Sequence, residues 1–211
     1  MTQRDIRAVI FDYGNVLVRT LDPAPRATWE QRFGLQAGDL QRIVHNKTSW
    51  IAAQLGQISP ATYWHEIGDT LKLTAAETSN LRATFYRGDL LNVELVAYLD
   101  RLRAAGLQVA LLSNFSTDLH GFLSTHALQH RFDPIAVSAD IGVMKPDAQA
   151  YQTVLDRLAL PANACVFVDD LAANVQAAQT LGMHGIVFRD NATCLDALEA
   201  LLAVQPDDAR T

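Results

Sequence analysis

Val9 to Val18 reads VIFDYGNVLV, and the interpretation of this stretch sets the fold of the whole chain. With Ile6 upstream, Val9, Ile10 and Phe11 form a short apolar, β-branched run, so residues 6–12 are predicted to be a strand buried on both faces. The run stops at one charge, Asp12, and passes directly into the turn residues Tyr13-Gly14-Asn15. A carboxylate taken out of water needs a partner, so buried strands avoid it. The carboxyl end of a parallel strand is different, because ligands bind there. Asp12 is therefore a candidate for chemistry.

The remaining strands follow from residue 92 onward, where apolar strands alternate with helical patterns. NVELVAYLDRLRAAG is a helix with Asn92 as N-cap and Gly106 past its end, LQVALLSN a strand, TDLHGFLSTHAL a helix, and FDPIAVSAD holds a short strand. KPDAQAYQTVLDRLAL is a helix with Pro146 near its start, ACVFVDD a strand, LAANVQAAQTLG a helix stopped at Gly182, HGIVFR a strand and NATCLDALEALLAV a helix. The tail QPDDART is expected to fray. Such alternation implies right-handed βαβ units. The fold class is α/β, a Rossmann-like doubly wound parallel sheet with an inserted all-helical cap.

The insert is residues 19–88; the core is residues 1–18 plus 89–211. Within the insert, TWEQRFG and DLQRIVHNKTSWIAAQLG read as helices ended by Gly34 and Gly56. Ser59-Pro60 opens another helix, and Thr74 and Glu77 have capping-box spacing. Trp29, Trp50, Tyr63, Trp64, Phe85 and Tyr86 are expected to form the small core of this block, and Arg19, Arg87 and His45 to lie at its surface. The crossings at Arg19-Thr20 and Arg87-Gly88 are expected to be loose, Gly88 the looser.

Four strand ends carry polar residues: Asp12; Ser113-Asn114; Lys145 after the short strand; and Asp169-Asp170. A doubly wound sheet brings them to one edge. A nucleophilic carboxylate, a hydroxyl, an ammonium and a carboxylate pair suit phosphoryl transfer through an aspartyl intermediate. The three carboxylates would repel one another and raise each other's pKa, a penalty that Mg²⁺ would remove. Taken singly, each has an ordinary structural explanation: a strand cap, a turn, a solvated lysine. Asn174 reads as a supporting partner or an ordinary helix residue, not a ligand.

In FDYGNVL, VALLSNFS, VMKPD and VFVDDLAANV, in that order, the chain resembles the haloacid dehalogenase superfamily over nearly its whole length, and the insert resembles the small helical cap of its subfamily I. The resemblance implies Asp12 as nucleophile, Ser113 and Lys145 as catalytic partners, and Mg²⁺ held by Asp12, Asp170 and the Gly14 carbonyl, with Asp169, Asn114 and Asn174 in support. It implies a small phosphorylated metabolite as substrate. The branch it is similar to lies near sugar-phosphate phosphatases and the phosphatase domain fused to soluble epoxide hydrolases. One position departs. Phosphatases of this superfamily usually carry a second Asp two residues after the nucleophile, where this chain has Gly14. That residue protonates the leaving group, and loss of such an acid typically forfeits ~10²–10⁴-fold in rate. Asp169 or a residue of the cap is a candidate substitute.

Composition narrows the partners. The chain has 211 residues, 49% of them hydrophobic and 19% charged, enough for a real core. A net charge of −6 and a pI of about 5.4 disfavour nucleic acid and anionic membranes. MTQRDIRAVIF lacks a secretory apolar segment, and no run approaches the ~18 apolar residues of a membrane span. A soluble, cytoplasmic protein is expected. Cys165 reads as a buried thiol, a Cys165–Cys194 disulfide stays open, and six histidines show no zinc spacing. Composition leaves the oligomeric state undetermined. Two rival functions are a 2-haloacid dehalogenase, which needs no metal, and a catalytically weakened binding or regulatory module. The Asp169-Asp170 pair weighs against the first and the intact nucleophile against the second.

Overall fold

A computed structural model describes residues 5–203. The segment QPDDART, residues 205–211, lies outside them. Five strands, β1 (Ala8–Phe11), β4 (Gln108–Ser113), β5 (Ile135–Val137), β6 (Cys165–Asp169) and β7 (His184–Val187), form a parallel sheet in the order β5-β4-β1-β6-β7. β1 is central, with Phe11 in register with Leu111 on one side and Val168 on the other. The chain moves outward from β1 to β4 and β5, then restarts at β6 on β1's opposite side. The end of β1 is thus where the strand order reverses, the site of the ligand crevice in such sheets.

Side-chain alternation along β1 separates two cores. Val9 and Phe11 join a cluster with α6 (Val93–Ala104), α7 (Asp118–Thr125) and α11 (Asn191–Leu202). Ala8 and Ile10 join one with α9 (Ala148–Leu158) and α10 (Ala172–Thr180). This is why the strand sequence is apolar throughout rather than alternating. The short helix α8 (Ser138–Ile141) after β5 has too little periodicity to be read in advance. Cys165 and Cys194 are free and buried, and burial pushes their thiols up to about 11 and about 12, so the disulfide left open by the sequence is absent.

Between β1 and α6 lie α1 (Ala24–Phe33), α2 (Asp39–Val44), α3 (Ser49–Gln54), α4 (Pro60–Thr70) and α5 (Ala75–Phe85), packed around a cluster of their own that includes Trp29, Tyr63, Trp64 and Phe85. Gly34 ends α1 in the left-handed conformation, Ser59 caps α4, and Thr74 and Glu77 form the expected capping box. DLQRIVHNKTSWIAAQLG is two helices, not one. The Asn46 side chain accepts from the Thr48 and Ser49 amides at 2.9 and 2.8 Å, and this Asx turn diverts the backbone.

The segment 19–88 is not wholly helical, and its crossings are not loose. β2 (Val18–Thr20) pairs antiparallel with β3 (Asp89–Leu91), closing the bundle's two ends into a ribbon. The Leu21 and Asp22 amides donate to the Gly88 carbonyl at 3.0 and 3.1 Å. Asp89 accepts from Thr20 at 2.6 Å and from buried Arg26 at 2.8 Å, and Arg26 also donates to the Phe85 carbonyl. Gly88 is needed for proximity rather than freedom: a Cβ there would lie 1.8 Å from the Asp22 carbonyl oxygen. We therefore expect Gly88→Ala to destabilise the protein by about 1–3 kcal/mol, the usual cost of overpacking. Gly121→Ala, in α7 where a Cβ meets nothing within 4 Å, should be neutral or slightly stabilising. Urea denaturation of both variants checks the contrast.

Candidate active site

The polar residues of the strand ends meet around one ammonium group. Lys145 is buried, and its Nζ lies 2.6 Å from Asp169 Oδ2, 2.9 Å from Asp12 Oδ1 and 2.9 Å from the Leu112 carbonyl that accepts from it. It donates to Asp169 and to the Leu112 carbonyl, and it stands at ion-pair distance from Asp12 without an aligned hydrogen bond. A lysine at a helix start is unfavourable beside the helix's positive end. In the structure Asp147 is the N-cap of α9, and the anions that hold Lys145 are Asp12 and Asp169.

Asp169, the last residue of β6, is fully buried and saturated. Besides Lys145 it accepts from the Leu171 amide at 2.8 Å and from Asn174 Nδ2 at 3.0 and 3.1 Å. Asn174 thus holds the Asp169 carboxylate. Asn114 grips the backbone of Lys145 at both ends, accepting from its amide at 2.9 Å and donating to its carbonyl at 2.8 Å. This pair fixes where the ammonium emerges. Ser113 ends β4, is buried, and its hydroxyl helps draw the Asp12 carboxyl down.

Asp12 is different. Its Oδ1 is buried and at ion-pair distance from Lys145, yet has no aligned hydrogen-bond donor. Burial raises its pKa most; Lys145 opposes that, and Asp169 adds to it. Asp170 is also raised, again chiefly by burial, with the Asn15 amide opposing. Mutual repulsion, the cause expected from sequence, is thus secondary to loss of water. One oxygen from each of Asp12, Asp169 and Asp170 lies within 4.8 Å of the others. Asp169 has no capacity left, so Asp12 and Asp170 are the carboxylates able to face a cation, and the orphaned Asp12 oxygen suits one.

Three features escaped the sequence reading. Asn15, in the left-handed region at φ 55°, donates to Asp170 Oδ2 at 2.9 Å; its place in YGNV was the available signal. Gln54 of α3 donates to the Asn114 carbonyl at 2.7 Å, and Arg82 of α5 pairs with Asp118 of α7 at 2.8 Å, so the bundle is fastened to the sheet domain on two sides. Between them lies a cavity of about 730 Å³ that opens onto Tyr13, Gly14 and Asn15. His45 lines it and is half-buried, not superficial, packed on Trp50 and Phe85 with Nε2 3.2 Å from the Tyr86 hydroxyl. Arg19 and Arg87 are exposed as expected. No helix among the described residues is long and apolar enough to cross a membrane.

The family model of haloacid dehalogenase-like hydrolases matches residues 6–182. A sesquiterpene phosphatase of Aspergillus oryzae is 32% identical over 197 residues, covering 90% of this chain and 94% of that protein. A predicted HAD-like family hydrolase from Porphyromonas gingivalis superposes with a TM-score of 0.75 at 23% identity, covering 94% of this chain and 98% of that one. A HAD family enzyme from Bacteroides thetaiotaomicron, solved in complex with magnesium and inorganic phosphate, superposes at 0.77 with 17% identity, covering 90% and 98%. At these identities the two structures establish the shared fold.

Burial, aided by Arg26, lowers the His45 pKa from 6.5 to about 4. Above pH 6.5 the ring is neutral in both folded and unfolded chains, and its burial costs no deprotonation. Below that the unfolded chain takes up a proton that the folded one refuses, so stability falls as the pH drops toward 4, by roughly 3 kcal/mol in all. We expect His45→Gln to flatten this part of the profile of melting temperature against pH, measured between pH 4 and 7.

Proposed function

The chain belongs to the haloacid dehalogenase-like hydrolases, and on that premise we propose that it is a Mg²⁺-dependent phosphatase of a small phosphomonoester, working through an aspartyl-phosphate. The observation that carries this reading is the gathering of Asp12, Asp169 and Asp170 at one point, with Lys145 engaged by only two of them. The phosphatase relative supports it. A metal-free dehalogenase would leave Asp170 without a cation, since Lys145 engages Asp12 and Asp169.

In this reading Asp12 and Asp170, with the Gly14 carbonyl, hold Mg²⁺, which when bound neutralises the carboxylates and the phosphate and polarises the phosphoryl oxygens. Asp12 attacks phosphorus, the P–O bond to the organic group breaks, and the departing oxygen takes a proton. Water then attacks the phosphorylated Asp12, releases phosphate and restores the carboxylate. Lys145 holds Asp12 in line and balances charge on it; Asn114 and Asp169 hold Lys145; Asn174 and the Leu171 amide hold Asp169; Asn15 orients Asp170. Ser113 and the amides after Asp12 receive the phosphoryl oxygens. Residues 19–88 cap the sheet domain, and Gln54 and Arg82 tie the two together beside the site.

The proton for the leaving oxygen has no donor at position 14. Asp169 cannot stand in, because both its oxygens already accept hydrogen bonds. Esters of acidic alcohols should therefore be hydrolysed faster than simple alkyl phosphates. Gly14 does not lie in the left-handed region, and a Cβ there would meet nothing within 4 Å, so the backbone accepts a side chain.

Phosphate release should vanish in Asp12→Asn and Asp170→Asn and after EDTA treatment, with the folded state retained. Full activity in any of these would overturn the mechanism, and metal-independent halide release would favour the dehalogenase. Gly14→Asp should flatten the dependence of rate on leaving-group pKa and raise turnover of alkyl phosphates by about ten-fold or more. A wild-type rate indifferent to the leaving group would mean that another residue supplies the proton.

A further inference from the structure

The cavity that begins at Gly14 and Asn15 has a particular chemistry. Its aromatic rings are in mutual contact and come from both parts of the molecule. Phe115, just beyond β4, meets Tyr13 at 6.3 Å between ring centroids, Tyr86 of the bundle at 5.9 Å and Phe122 of α7 at 5.8 Å. Tyr86 in turn meets Phe122 at 5.1 Å and Trp64 at 6.4 Å. In sequence Trp64 and Tyr86 read as ordinary packing and Tyr13 as a turn residue. Together they wall a space that begins one residue from Asp12.

Several polar groups of the same lining are engaged with one another. Arg26 pairs with Asp89, Arg82 with Asp118, and the His45 ring with the Tyr86 hydroxyl. A substrate that brought several hydroxyls into this space would strip them of water and offer them paired groups and ring faces, and an unmet buried hydroxyl is costly. A hydrocarbon group brings no hydroxyls to be stripped of water and gains the aromatic surface. The volume, about 730 Å³, is that of a site for a drug-sized molecule rather than a two- or three-carbon metabolite.

We infer that the cavity walled by Tyr13, Trp64, Tyr86, Phe115 and Phe122 receives the hydrocarbon part of the substrate, so that the substrate class is the phosphomonoester of a large apolar alcohol and not of a sugar. This inference rests on the phosphatase reading for the position of the phosphate, and on the cavity alone for what is attached to it. The apolar group lies along the rings, and the phosphate reaches down past Gly14 to Asp12.

Binding separates the two readings. A series of n-alkylphosphonates from ethyl to octyl, which cannot be hydrolysed, is titrated calorimetrically into the Mg²⁺-loaded protein, alongside a sugar phosphonate of similar size. Affinity should rise with chain length, by about three- to four-fold for each methylene fully buried, and the sugar phosphonate should bind more weakly than octylphosphonate. Phe122→Ser should lower the octyl-to-ethyl affinity ratio several-fold. Affinity independent of chain length, or a preference for the sugar phosphonate, overturns the inference, and the wild-type series alone is enough to show it. Chain-length-dependent binding without hydrolysis of octyl or aryl phosphates would leave the cavity assignment standing and overturn the phosphatase.

Discussion

Lys145 is the point on which the site depends. A buried ammonium is stable only where oxygens surround it, and here the Leu112 carbonyl, Asp169 and Asp12 do so. Those oxygens come from the ends of three adjacent strands, β4, β6 and β1. The ion cluster therefore joins the carboxyl edge of the sheet much as the hydrophobic clusters join its faces. Removing any member would leave a buried charge unbalanced, a larger loss than one hydrogen bond.

The members of the cluster are not equivalent. Asp169 is saturated by Asn174, the Leu171 amide and Lys145, and acts as a fixed counter-charge. Asp12 has the same lysine at the same range of distance but retains an oxygen without an aligned donor. Two carboxylates on one ammonium thus differ in what they have left to give, and the one with spare capacity is Asp12, which precedes Tyr13 of the cavity lining. Adjacent Asp170 is held by Asn15 from the turn after β1, which ties the first loop to the fourth.

The helical bundle adds a wall. Its ends are locked by the β2–β3 ribbon and by Arg26 and Asp89, and it touches the sheet domain through Gln54, Arg82 and the aromatic contacts of Trp50 and Tyr86 with Phe115. Motion of the bundle would be motion of a braced unit whose breakable contacts are these few, rather than bending at a free glycine.

Much of this was legible in the chain. An apolar run ending in Asp12, and further runs ending at Ser113 and at Asp169-Asp170, determine buried parallel strands with their polar residues at one edge, because side-chain period and strand polarity are local properties. Ser59, Thr74, Glu77 and Asn92 likewise announced their helices, since a cap bonds within its own turn. What the tertiary structure alone decided concerns contacts between distant segments. That Gly88 is a close approach to Asp22, that His45 is half-buried and depressed to about 4, that Asp169 is saturated while Asp12 is not, and that Phe115, Phe122, Tyr86 and Trp64 share one cavity are all set by which surfaces meet. Sequence fixes what each segment can offer; solvent exclusion, which governs charge, pKa and apolar recognition alike, exists only once the segments have closed on one another.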